Sequence, residues 1–147
     1  MPPQPASHMD AIRNGNYWNT FWVKGTLSPI DSLNLSATSF TDNPGGINPK
    51  ADTLNFKILY HEKGTYTLHS NQVFYGTFAN DVLTGYQLDT TYNNQIVITG
   101  FDVYHNGAST NPDMVKLSGT FSLKFIDPKN STGINFVDAH FYTLIER

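Results

Sequence analysis

Apolar residues along this chain recur at every second position over short runs, and no stretch repeats them at the spacing of a helix. Such alternation marks strands with one buried face. It predicts strands over Tyr17 to Thr26, Leu33 to Phe40, Thr53 to Tyr60, Thr65 to Leu68 and Val73 to Phe78. Thr84 to Leu88, Gln95 to Tyr104, Val115 to Ile126 and Ile134 to Ile145 follow. Between them lie clusters of turn formers: 41–49, His61 to Gly64, His105-Asn106-Gly107 and Asp127 to Gly133. Short turns without crossover helices make neighbouring strands antiparallel. The expected fold is therefore all-β, an antiparallel β-sandwich or flattened barrel of about nine strands.

Parity within each run nominates the core. Leu33, Leu35 and Ala37 share a face, as do Leu54, Phe56, Ile58 and Tyr60, and again Leu117, Phe121, Leu123 and Phe125. The closing strand breaks the rule, because Ile134 and Phe136 fall on one face and Phe141 on the other. A bulge at Asp138-Ala139 would return Phe141 to the core side, since one extra residue shifts the register. On the first strand Tyr17, Phe21 and Val23 are assigned to the core, which leaves Trp18, Thr20 and Trp22 on the opposite face. A Gly-Thr-aromatic tripeptide recurs at Gly64, Gly76 and Gly119, expected at strand entrances or close backbone approaches.

Composition adds limits. The chain has 147 residues, the size of one domain. Met1 to Met9 carries three prolines and no apolar pattern, and its Ser7-His8-Met9 string resembles an expression-vector junction. Residues 1–9 are expected to be a tag or linker remnant that buries nothing, and 10–147 to form a single β domain. Charged residues make up 14%, against roughly 25% in ordinary soluble proteins, so Asn, Thr and Ser build the polar surface. Net charge is −3 and no basic stripe occurs, which argues against nucleic acid as a partner. No apolar run is long enough to span a membrane as a helix. Cysteine is absent, so disulfides, thiolate metal sites and thiol nucleophiles are excluded from these residues.

Catalytic signatures do not emerge. There is no Gly-x-Ser-x-Gly elbow. The only glutamates, Glu62 and Glu146, sit at turn or terminal positions, and the aspartates Asp31, Asp42, Asp52, Asp81, Asp89, Asp113 and Asp127 mostly read as loop punctuation. Asp138 with His140, and Asp102 with His105, are two-residue sets without the third ligand or spacing of a zinc site. No catalytic residue, metal ligand or cofactor is assigned. The chemistry that remains is aromatic. If open, Trp18 and Trp22, flanked by Asn19 and Thr20, would form a stacking platform for a neutral polar ligand such as a glycan. If a loop or the N-terminal segment covers them, they are packing.

Three segments follow in order: Gln95-Ile96-Val97-Ile98-Thr99-Gly100-Phe101-Asp102, Leu117-Ser118-Gly119-Thr120-Phe121-Ser122-Leu123, and Ile134 through Phe141. With Gly64-Thr65-Tyr66-Thr67-Leu68 and Phe21-Trp22-Val23-Lys24-Gly25, this resembles the small Bacteroidota lipoproteins of the DUF6252 type. The chain departs from their pattern at Ala139, where Gly is usual, and at Trp22, where a small residue is common. The resemblance implies an exported β-sandwich, periplasmic or at the outer membrane or cell surface, lipid-anchored through an upstream cysteine, and it implies no catalytic residues. The reading is thus a non-enzymatic cell-envelope domain with a binding or structural role, whose partner is a glycan or another envelope protein. The alternatives are a carbohydrate-binding module using surface aromatics, and a small hydrolase or isomerase with a barrel-mouth pocket.

Overall fold

The alternation becomes antiparallel strands that pair along nearly their whole length. The structure, a computed structural model, describes residues 7–27, 32–41, 50–59, 63–79, 82–104, 114–129 and 131–146. Among these, no helix occurs and eleven strands form: β1 His8–Arg13, β2 Asn16–Thr20, β3 Trp22–Leu27, β4 Ser32–Thr41, β5 Lys50–Leu59 and β6 Gly64–Thr67, then β7 Val73–Ala79, β8 Val82–Leu88, β9 Gln95–Tyr104, β10 Met114–Ile126 and β11 Gly133–Glu146. The body of the loop expected at 41–49, the His105-Asn106-Gly107 turn and the placement of Tyr60 lie outside the described residues.

The strand order is β2-β1-β11-β10-β8-β7-β5-β4-β3, with β9 and β6 continuing from β10 beside its contact with β8. All ten pairings are antiparallel. Two curved halves result, one built on β1, β2, β11, β10, β9 and β6, the other on β3, β4, β5, β7 and β8. A short ladder, Phe125 with Leu88 and Ile126 with Gln87, joins them on one side. On the other, β2 runs into β3 through a corner at Phe21, and β3 packs onto β11 where Gly25 leaves space for Ile145. The sheet is therefore nearly closed into a flattened barrel, which leaves few free strand edges.

The core follows the parity of the long strands. Leu33, Leu35 and Ala37, then Leu54, Phe56 and Ile58, then Leu117, Phe121, Leu123 and Phe125 are all buried. Phe136 sits among aromatic neighbours, edge-on to Trp18 at 5.4 Å and to Tyr75 at 5.0 Å between ring centroids. These spacings are in the favourable range for aromatic pairs. The closing strand bulges as its pattern requires. Phe121 opposes Ala139 and Leu123 opposes Phe136, so β11 spends one residue more than β10 over this stretch. Asp138 is the extra residue, at φ 48°, and Phe136, Ala139 and Phe141 all point inward. The tripeptide glycines also fall as expected: Gly64 opens β6, and an added Cβ on Gly119 would lie 2.0 Å from the Val97 carbonyl oxygen.

Two expectations fail. Residues 1–9 were to bury nothing, yet His8 and Met9 begin β1, and Met9 is fully buried with Phe141 and Thr20 as its backbone neighbours. Alternation in Met9, Ala11 and Arg13 was too short to register as a strand. The single first strand also fails, because it breaks at Phe21 and its parity inverts there. Tyr17 and Phe21, assigned to the core, are 69% and 68% exposed, while Trp18 and Thr20 turn inward. Only Val23, past the break, keeps its expected side and packs against the core.

Candidate functional site

Two groups of polar side chains stand out, one inside the barrel rim and one on its outer surface. The inner one starts from β5. Asp52 has the same parity as Leu54, Phe56 and Ile58 and is buried with them, so it is no loop-punctuating carboxylate. Three donors converge on its Oδ2: the Arg13 guanidinium, Trp18 Nε1 at 2.9 Å and the Tyr75 hydroxyl at 3.0 Å. Arg13 also donates to the Tyr75 oxygen at 3.1 Å. Burial pushes the Tyr75 hydroxyl far above its ordinary pKa, and the Asp52 carboxylate adds to the effect. A buried carboxylate needs this company, because an unpaired one would cost several kcal/mol. The donors come from β1 and β2 on one half and from β7 on the other. The cluster therefore ties the two halves of the barrel together, and an oxygen so occupied is poorly placed to take a proton from a substrate. The signal for Asp52 was legible in its parity with Leu54 and Phe56.

The outer group lies on the exposed face of β3, β4 and β5. Cross-strand register sets it out in rows. Trp22 lies opposite Thr38, and Thr38 opposite Thr53. The next row is Lys24, Ser36, Asn55 and Phe74, and the next is Thr26, Asn34 and Lys57. A groove of about 470 Å³ crosses the second and third rows, walled by Phe74 and by the Ser70 to Gln72 turn. A second groove, about 370 Å³, adjoins it through Lys24 and Ser36 and ends against Phe21 and Trp22. Volumes of this size suit small ligands. Phe74 is seated by a missing side chain: a Cβ on Gly76 would come within 2.8 Å of its ring. Ser36 donates to Asn55 Oδ1 at 2.7 Å, which orients that amide.

The four residues expected to form a platform are separated by the corner. Trp18 is 5% exposed, its indole N–H bound to Asp52 and its ring against Phe136. Thr20 is buried, donating to the Thr38 carbonyl and accepting from Trp22 N–H at 3.0 Å. Asn19 and Trp22 are both exposed, and Trp22, at 71%, borders the second groove. The expected face with both indoles is thus replaced by one with a single indole. The remainder of that face, Lys24, Asn34, Asn55, Lys57 and Phe74, went unnoticed in the sequence because its members are far apart along the chain.

Other clusters are smaller. The bulge leaves Asp138 and His140 both facing outward beside one groove. His140 Nδ1 lies 3.4 Å from Asp10 Oδ1. No set of three His, Asp or Glu side chains able to hold a metal occurs among the described residues. Asp89 and Asp127 do act as turn caps, accepting Thr91 N–H and Lys129 N–H respectively, each at 2.9 Å.

Fold and surface together define a flattened antiparallel β-barrel with a polar, aromatic-bordered groove on the outside of one half. Compared with family models, curated proteins and solved structures, the chain gives no match to any of them.

Proposed function

We propose that this chain is a non-enzymatic binding domain that takes a glycan on the outer face of β3, β4 and β5. The observation that carries the reading is the pair of adjoining grooves, with Trp22 at one end, Phe74 at the other and hydroxyls and amides between them. Sugars present apolar ring faces edged with hydroxyls. An indole stacks on the first, and Asn and Ser side chains bond the second. The groove is preformed on paired strands, which limits the ordering cost of binding. The resemblance noted above would place such a domain in the cell envelope, as part of an exported lipoprotein.

Isothermal titration against a panel of polysaccharides tests the reading. Burying about 60–80 Å² of indole is worth about 1.5–2 kcal/mol, so Trp22→Ala should weaken binding about tenfold or more. If no polysaccharide binds, or Trp22→Ala binds as tightly as the parent, the reading fails.

A further inference from the structure

The ionisable side chains that line the larger groove among the described residues are both cations. Lys24 and Lys57 both line it, both are exposed, and among the described residues neither ammonium has a carboxylate partner. No Asp or Glu lines either groove among the described residues. The amides reinforce this bias. Asn55 Oδ1 already accepts from Ser36 at 2.7 Å, so one of its two lone pairs is taken while its NH₂ group remains for a ligand. Gln72 Oε1 is taken in the same way by the backbone N–H of His69 at 2.8 Å. A chain of net charge −3 thus sets two cations and two donor-presenting amides on a single groove.

Register gives the spacing. Lys24 is opposite Ser36 on β4, and Lys57 is opposite Asn34 two residues along the same strand. Two strand spacings across and two residues along put the lysine Cα atoms about 12 Å apart. That is the reach of a short oligosaccharide lying across the strands, with the amides beneath it.

We infer that the ligand is an acidic glycan, whose carboxylate or sulfate groups are held by Lys24 and Lys57 while a sugar ring stacks toward Trp22. This rests on the glycan reading above and narrows it. Two cations are too few to follow a nucleic acid backbone, whose binders neutralise many phosphates. A polymer with an acidic group only on some rings matches the count better.

The test pairs each acidic polymer with its neutral form: polygalacturonate with its methyl ester, and dextran sulfate with dextran. An oligothymidylate serves as the phosphate polyanion. Affinity is read by titration calorimetry at low and at raised salt. One acidic polymer should bind at least about tenfold tighter than its neutral form, as a charge-assisted hydrogen bond allows. Lys24→Gln and Lys57→Gln should each remove most of that margin, with unchanged melting temperature. Lys129→Gln, on the turn before β11 and outside the lining of both grooves, should not. Equal binding of acidic and neutral forms overturns the inference and leaves the glycan reading standing. Oligothymidylate binding as tightly as the acidic polymer overturns it as indiscriminate polyanion capture. Failure of every polysaccharide ends both.

Discussion

The hydroxyl of Thr20 accepts the backbone N–H of Trp22 at 3.0 Å while donating to the Thr38 carbonyl, and this small turn inverts the chain's parity at the barrel corner. Side-chain hydroxyls that bond to nearby backbone offer the chain an alternative to the strand ladder. Here the bend sends Trp18 inward and Trp22 outward. Thr20→Val keeps the volume but leaves the Thr38 carbonyl and the Trp22 N–H without that partner. A loss of about 1–3 kcal/mol is expected in urea unfolding. A loss under about 0.5 kcal/mol would show that the corner holds without the hydroxyl.

The two tryptophans should be separable by fluorescence. Trp22→Phe should remove a long-wavelength component that iodide quenches, and Trp18→Phe a shorter-wavelength component that iodide does not reach. If both variants lose the same kind of emission, the opposite placement of the two indoles is wrong.

Asp52 is the anchor of the rim cluster. Asp52→Ala strands the Arg13 guanidinium, the Trp18 N–H and the Tyr75 hydroxyl together, and should cost about 3–5 kcal/mol. Replacing Arg13 by Met in the same chain should recover part of that loss, because the stranded cation is gone. Strict additivity of the two substitutions in a double-mutant cycle would mean that the groups do not act as a unit.

The bulge in β11 gives opposite expectations for two changes. Phe141→Ala should cost about 3–5 kcal/mol, as for any buried aromatic. Asp138, at φ 48°, tolerates a conformation that a β-branched residue resists. Asp138→Val should therefore destabilise by about 1 kcal/mol or more, and Asp138→Gly by clearly less. Equal effects of Val and Gly would argue against a left-handed residue there.

Asp89 carries a pH signature. Hydrogen bonds from the Thr91 hydroxyl and N–H lower its pKa in the folded state, with Lys124 contributing. A depressed folded pKa adds stability that is present above the unfolded value, about 3.9, and is lost as pH falls through the folded value. Asp89→Asn should flatten the loss of stability below about pH 4 relative to the parent chain. Parallel stability curves over that acid range would show that Asp89 is not the group responsible.

By itself the sequence determined the strand class and most of the core. Period-two alternation in 33–37, 54–58 and 117–125 is a local property that survives wherever the strand is placed. Even the bulge at Asp138 could be inferred, because Phe136 and Phe141 cannot both be buried on a regular strand. The chain corner at Phe21 could not. Nothing local distinguishes a straight Tyr17 to Thr26 strand from one broken by Thr20, since the acceptor that holds the break, the Thr38 carbonyl, arrives only with β4. The same holds for Met9, whose burial needs β2 and β11 on either side. The groove is the clearest case. Lys24, Asn34, Asn55 and Phe74 come from four strands, and only their pairing puts them on a common face. Strand pairing is a non-local choice, made by the whole barrel burying its apolar sides at once, so the surface it assembles on the outside is a property of the tertiary structure alone.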